Sequence, residues 1–171
     1  MEQQAVVRSA VSTKPYVVLV GMDFSEPALH ALRKALAYAS ERENVEVHVV
    51  CVVPQRSPKA QHPMPESSWI VAESAVIEGV FASLRGRVER EVAELTRADA
   101  RSLRRAPKRV TPHVLVDVPA VGLVELAREL AADVILIGAS GQGSAAESLG
   151  SVAKRTLSAA PCTVILTRAL P

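Results

Sequence analysis

The chain has 171 residues, just under half of them apolar, and a formal net charge of +2. That length carries one ordinary domain with its own core, and that composition folds rather than staying disordered. So small a net charge gives no reason to expect nucleic acid as a partner, and no stretch is long and apolar enough to read as a membrane span.

The opening residues, MEQQAVVRSAVSTK, are mixed and polar, without the continuous apolar stretch of a signal peptide. They read as a flexible arm over residues 1–14, with the domain over 15–171 and a cytoplasmic location. Tyr16 to Val20 (YVVLV) is a β-branched run whose continuous hydrophobicity predicts a strand covered on both faces. In the following GMDFSEPALHALRKALAYASE, Ser25 is placed to cap a helix and Pro27 fits its first turn. Leu29, Leu32 and Leu36 then recur at helical spacing. Val45 to Val53 predicts a second strand. Its prolines make Pro54–Ser68 a loop, either a mobile connector or a cover.

Trp69 to Arg105 predicts one long helix or two joined ones, with an apolar stripe at Val80, Leu84, Val88, Val92 and Leu95. Trp69 is expected to plug the helix start against the core. The basic run Arg97–Arg109 reads as a solvated helix end, the alternative being a surface for an anionic partner. Val110 to Val116 predicts a third strand, in which Pro112 removes a ladder hydrogen bond and so favours an edge or a bulge. Ala120–Ala131 is a short helix, Val134–Ile137 a fourth strand, Ser148–Ala159 a helix and Thr163–Thr167 a fifth strand.

Strands alternating with helices predict an α/β fold: a three-layer sandwich with a five-stranded parallel sheet and helices on both faces, Rossmann-like in plan. In such open sheets, ligands sit at the carboxyl ends of the strands, where the strand order reverses. Cys51 and Cys162 lie far apart in apolar, strand-like surroundings and behave as small hydrophobes. His30, His48, His62 and His113 are scattered and match no metal-binding spacing.

The segment GASGQGSAAESLGSVAKRTL, from Gly138 to Leu157, follows the fourth strand and opens a helix. Glycine permits close approach of a ligand to the backbone, and a helix beginning near Gly150 offers free N–H groups and the positive end of a dipole. Together these predict an anion site suited to phosphate. Ser151 adds a hydroxyl there, with simple capping as its other role. No GKS or GKT follows, so this is not a P-loop, and GxGxxG after the first strand is absent. Glu147 is the loop's only acid, and one carboxylate is a poor magnesium site without phosphates.

Over roughly Lys14–Arg168 the chain resembles the universal stress protein family. The resemblance is carried by VVLVGMDFSEPALHALRKALAYA, by DVILIGASG and above all by GSVAKRTLSAAPCTVILTR. It implies a five-stranded parallel sheet and a dimer formed through the last strand. It also implies ATP binding, with or without Mg²⁺, in the branch carrying Gly-x-x-Gly, nine residues, then Gly-Ser or Gly-Thr. Gly138, Gly141, Gly150 and Ser151 match that pattern, with eight residues between Gly141 and Gly150 instead of nine. By the same resemblance, Asp23 stands beside the adenosine, with capping of the first helix as its alternative role. The backbone of Val52 reads adenine, and Val152 and Ala153 follow the phosphates into the helix. Gly21, Met22 and Ile137 complete the expected lining. Ser140 stands where relatives often carry arginine or histidine, which leaves phosphate charge to backbone N–H groups and any metal.

The expected function is therefore an ATP-binding regulatory module of the stress response, homodimeric and acting on an unidentified protein partner. A nucleotide-free dimerisation module is the alternative from a different class. A weak ATP hydrolase is a third, although no histidine or lysine stands beside the loop serines to form a nucleophile–base pair.

Overall fold

Each apolar run becomes a strand and each periodic run a helix. The elements in chain order are β1 (Tyr16–Gly21), α1 (Glu26–Glu41), β2 (Val45–Val53), α2 (Glu66–Ala98), β3 (Val110–Val116), α3 (Pro119–Glu129), β4 (Val134–Gly138), α4 (Ser151–Ala159) and β5 (Thr163–Thr167). The computed structural model describes residues 14–54, 66–99, 109–141 and 148–168, with the side chains of α2 described from residue 78 onward.

The strands form one five-stranded sheet in the order β3-β2-β1-β4-β5, and every neighbouring pair is parallel. The chain starts in the middle, steps outward twice through α1 and α2, returns through α3 to the other side of β1, and steps outward again through α4. Right-handed crossovers require those two pairs of helices to lie on opposite faces. The core divides accordingly. On one face Val18, Val20, Val47, Val49, Val134 and Leu136 meet Leu32, Ala35 and Leu36 of α1 and Val88 and Leu95 of α2. On the other, Val17, Leu19, Ile135 and Ile137 meet Leu123, Leu126 and Ala127 of α3 and Ala153 of α4. The two-residue alternation of a strand produces this split, and it explains why β1 needed apolar residues at every position from Val17 to Val20.

Several local expectations are met. Ser25 caps α1, its side chain accepting from the N–H of Ala28, with Pro27 in the first turn. Pro112 sits in an edge strand, since among the described residues β3 pairs only with β2. Both cysteines are free. Among the described residues, no helix is long and apolar enough to cross a membrane.

Other expectations are corrected. Helix α2 begins at Glu66, so the loop expected to run to Ser68 ends earlier. Val80 is exposed although the stripe includes it; the stripe reaches the core only from Val88, with Val92 packed beside it. A regular apolar spacing does not by itself say which turns of so long a helix reach the core. Helix α4 begins at Ser151 and not Ser148. The side chain of Trp69, the prolines at 58, 63 and 65, the arm over 1–13 and most of the basic run lie outside the described residues.

Asp133 joins the two central strands at their starts. Its Oδ2 accepts from the Val17 N–H at 2.7 Å, and its own N–H donates to the Val17 carbonyl at 2.9 Å. Val17 is buried, so removing the carboxylate leaves a buried donor without its partner, at a cost of about 1–3 kcal/mol. Asp133→Ala is expected to lower the unfolding free energy by that amount, read as a lower urea midpoint with the slope unchanged. A midpoint equal to that of the parent protein would show that this clamp is not what aligns β1 with β4.

Candidate functional site

The sheet order reverses between β1 and β4, because the chain leaves β1 toward β2 and leaves β4 toward β5. The connections after two such strands diverge and leave a crevice at their carboxyl ends. A cavity of about 430 Å³ occupies it. Gly21, Met22, Asp23, Val52, Ile137, Gly138, Gly141, Gly150, Ser151, Val152 and Ala153, drawn from separate stretches of chain, all line this one cavity.

The wall after β1 is held in a strained turn. Phe24 has φ of 60°, a left-handed conformation that is an outlier for a bulky residue and costs on the order of 1–3 kcal/mol. Four contacts hold it. Met22 donates its N–H to the Val50 carbonyl at 2.8 Å. Asp23 Oδ1 accepts from the Ser25 N–H at 2.9 Å and also from the Ser25 hydroxyl. From α2, the Arg87 guanidinium lies 3.8 Å from the centre of the Phe24 ring. Asp23 therefore supports the α1 cap through Ser25 and also lines the cavity, so both roles expected of it are available to one side chain.

The glycine wall follows from how closely the backbone approaches its neighbours. A Cβ on Gly138 would lie 2.9 Å from Pro27 Cβ and 3.2 Å from the Ala28 nitrogen, so α1 rests on the end of β4. A Cβ on Gly141 would lie 2.8 Å from Asp23 Oδ2, which brings the two walls together. At the far end of the loop, Gly150 is the N-cap of α4 and donates its N–H to the Ala139 carbonyl at 2.8 Å. Ser151 is thus the first residue of the helix and not its cap, which corrects the simple capping role. The first intrahelical bond runs from Lys154 to Gly150. The N–H groups of Ser151, Val152 and Ala153 precede it and have no partner within the helix.

Residues 142–147, Glu147 among them, lie outside the described residues. The two ends of that span are nevertheless fixed. Ala139 accepts from Gly150 and donates to the Thr167 carbonyl at 2.7 Å, and Thr167 Oγ1 donates to the Pro27 carbonyl at 2.7 Å. The loop that is one residue short of the family pattern still delivers the start of α4 to the cavity wall.

Sequence reasoning missed the third side of the cavity. Val50, Pro119 and Leu123 line it beside Val52. Pro119 opens α3 just past the carboxyl end of β3, so the rule that located the glycine loop would also have located it. Among the described lining residues, Asp23 is the only charged one. The site is an apolar slot on one side and a cluster of backbone donors on the other, with a carboxylate between them.

The sequence profile of the universal stress protein family matches residues 17–168. The chain belongs to the universal stress protein family. Solved structures of this fold resemble it closely in plan and distantly in sequence. Universal stress protein UspA from Lactobacillus plantarum is 22% identical, with a TM-score of 0.67 over 91% of this chain and 99% of that one. A universal stress protein in complex with cAMP is 19% identical, with a TM-score of 0.57 over 92% and 100% of the two chains. The universal stress protein from Archaeoglobus fulgidus in complex with dAMP is 22% identical, with a TM-score of 0.50 over 91% and 98%. No curated protein matches the sequence.

The glycine contacts of this universal stress protein separate packing from ligand approach. Gly138→Ala meets backbone and a proline ring, which cannot yield cheaply, and is expected to cost about 1–3 kcal/mol of stability. Gly141→Ala meets only the end of the Asp23 side chain and is expected to cost less than half as much. Urea unfolding of the two variants tests this, and equal losses would refute the assigned contacts.

Proposed function

We propose that this universal stress protein binds adenine nucleotide, ATP in the first instance, as a nucleotide-dependent regulatory module of the stress response in the cytoplasm. The observation that carries the reading is the convergence of the family-pattern residues on one cavity with two chemically distinct sides. An adenine ring fits the apolar side formed by Val50, Val52, Pro119 and Leu123, where the backbone at Val52 is available to its edge. Asp23 is placed to accept hydrogen bonds from ribose hydroxyls. The phosphates fall to the glycine backbone from Gly138 to Gly141 and to the N–H groups of Ser151, Val152 and Ala153, aided by the helix dipole. No lysine, arginine or histidine lines the cavity among the described residues, so Mg²⁺ bound to the phosphates would supply the missing positive charge. The cAMP and dAMP complexes of the related proteins support adenine nucleotide as the ligand class.

The reading extends to a homodimer through β5, through which the module would meet its protein partner. Among the described residues, strand β5 pairs only with β4, so its other side is a sheet edge. Ile165 on it is 45% exposed, with Val164 and Leu166 half-buried beside it. An apolar parallel edge of this kind is a template for pairing.

Two measurements test these statements. Freshly purified protein is denatured and the released small molecules are chromatographed; the stripped protein is then titrated with ATP and Mg²⁺. Co-purified adenine nucleotide, or binding that falls at least tenfold in Asp23→Ala and in Gly141→Val, is expected. At a ligand concentration about 100 times the Kd, the native state should gain about 2.7 kcal/mol. No released nucleotide and no heat would leave the chain as a nucleotide-free dimerisation module. In light scattering, the parent protein is expected as a dimer and Ile165→Lys as a monomer. A monomeric parent protein would defeat the dimer.

A further inference from the structure

Two histidines that are far apart in the chain meet on the sheet. In the register of β2 with β3, His48 stands opposite Thr111 and His113 opposite Val50. The two side chains are therefore diagonal neighbours on one face. His48 Nδ1 and His113 Nε2 are hydrogen-bonded to each other at 2.8 Å, side chain to side chain across the two strands. His48 is buried and His113 half-buried.

We propose that this pair is an acid-operated latch, which holds the edge strand β3 to β2 while the rings are neutral and releases it when both are protonated. The latch does not depend on the nucleotide reading.

A hydrogen bond between two ring nitrogens needs one N–H and one lone pair. Glu46, two residues back on the same strand, places Oε2 3.8 Å from Nε2, the other nitrogen of His48. That carboxylate favours the proton on Nε2 and leaves the Nδ1 lone pair to accept from Nε2 of His113. A first added proton goes to Nδ1 of His113, the nitrogen outside the contact, and the bond survives it. A second proton finds only Nδ1 of His48. It sets N–H against N–H and two cations side by side, so the contact opens. Both protons come from solvent.

The surroundings set the direction of the response. Glu46 is held by Arg109, the residue before β3, so its negative charge is already shared. From α2, Arg85 opposes a charge on His113. From β1, the apolar Leu19 stands opposite His48. Helix α3, on the same face, packs Leu123, Leu126 and Leu130 into the core and keeps Glu125, Arg128 and Glu129 exposed. Helix α1 lies on the opposite face with Val47 and Val49. Burial is the largest influence on both rings and disfavours their charged forms. At His48, Glu46 works against it; at His113, His48 and Arg85 add to it. Both rings therefore titrate below the ordinary histidine value of about 6.5, and release returns them toward it. The released strand binds more protons than the latched one, so the latch is at full strength above that value and weakens as the pH falls below it. Among the described residues β3 pairs only with β2, so its release breaks one ladder. Pro119, on the third side of the cavity, follows directly from β3 and is displaced with it.

Amide hydrogen exchange of the full-length protein is followed by mass spectrometry at pH 7.5 and pH 5, corrected for the intrinsic effect of pH. The lower value stays above the ordinary carboxylate range of about 3.9–4.3. Strand β3 is expected to exchange roughly tenfold faster at pH 5, as protonation of the released histidines requires. Strand β5, the other edge, has no histidine and is expected to be unchanged. In His113→Gln, whose side chain keeps a hydrogen bond and does not titrate, the acid response of β3 is expected to disappear. Equal protection of β3 at the two pH values would overturn the proposal. So would equal loosening of β3 and β5, which the parent protein alone reveals, or a folded His113→Gln variant with the parent's acid response.

Discussion

The hydrogen-bonded alignment of β1 with β4 is the constraint on which the remainder depends. These two strands are parallel, adjacent and central, and each is the departure point for a crossover that goes the opposite way. Two of the three sides of the cavity hang from their carboxyl ends. At their starts, Asp133 fixes the relative height of the two strands through both its carboxylate and its backbone. At their ends, Gly21 lets β1 lie against Ile137, since a Cβ there would come 2.7 Å from Ile137 Cγ2. A shift of one residue between them would exchange the faces of every side chain. It would also separate Asp23 from Gly141.

The cavity is assembled from two unlike walls. The turn after β1 is strained at Phe24 and held by contacts from β2, from its own cap and from α2. The segment after β4 is made of small residues, and its described ends at Ala139 and Gly150 are tied together. Strain on one side and small side chains on the other serve one requirement, which is to bring backbone and a single carboxylate close together without filling the space between. Dense packing beneath them, from Leu19, Ile135 and Leu123, each at 2% exposure or less, gives both turns a rigid floor.

Most of this architecture was legible in the sequence. The strands were visible because strands buried on both faces have no polar positions to obscure them, as in Val17–Val20. The cavity residues were visible because glycine, serine and aspartate stood where strands end, and because the family pattern ordered them. What stayed hidden depended on pairing. The apolar spacing at Val80 is as regular as at Val88, but only Val88 is buried in the core. Pro119 and Leu123 read as ordinary helix residues until β3 is placed beside β2. His48 and His113 read as scattered because their meeting depends on the register of two strands separated by the longest crossover in the chain.

The bond from Gly150 to Ala139 has an entropic consequence. Once the two ends of a connecting span are fixed by the surrounding fold, the cost of closing it grows only with the logarithm of its length, and doubling the length costs about 0.6 kcal/mol. Removing one residue from a span of this size changes that cost by about 0.1 kcal/mol on the same scaling. Loop length here is nearly free of thermodynamic selection, whereas the residues that tie down its ends are not. Insertions and deletions can accumulate between Gly141 and Gly150 without moving the first turn of α4. Variation in the length of this segment then leaves the backbone donors of α4 where they are.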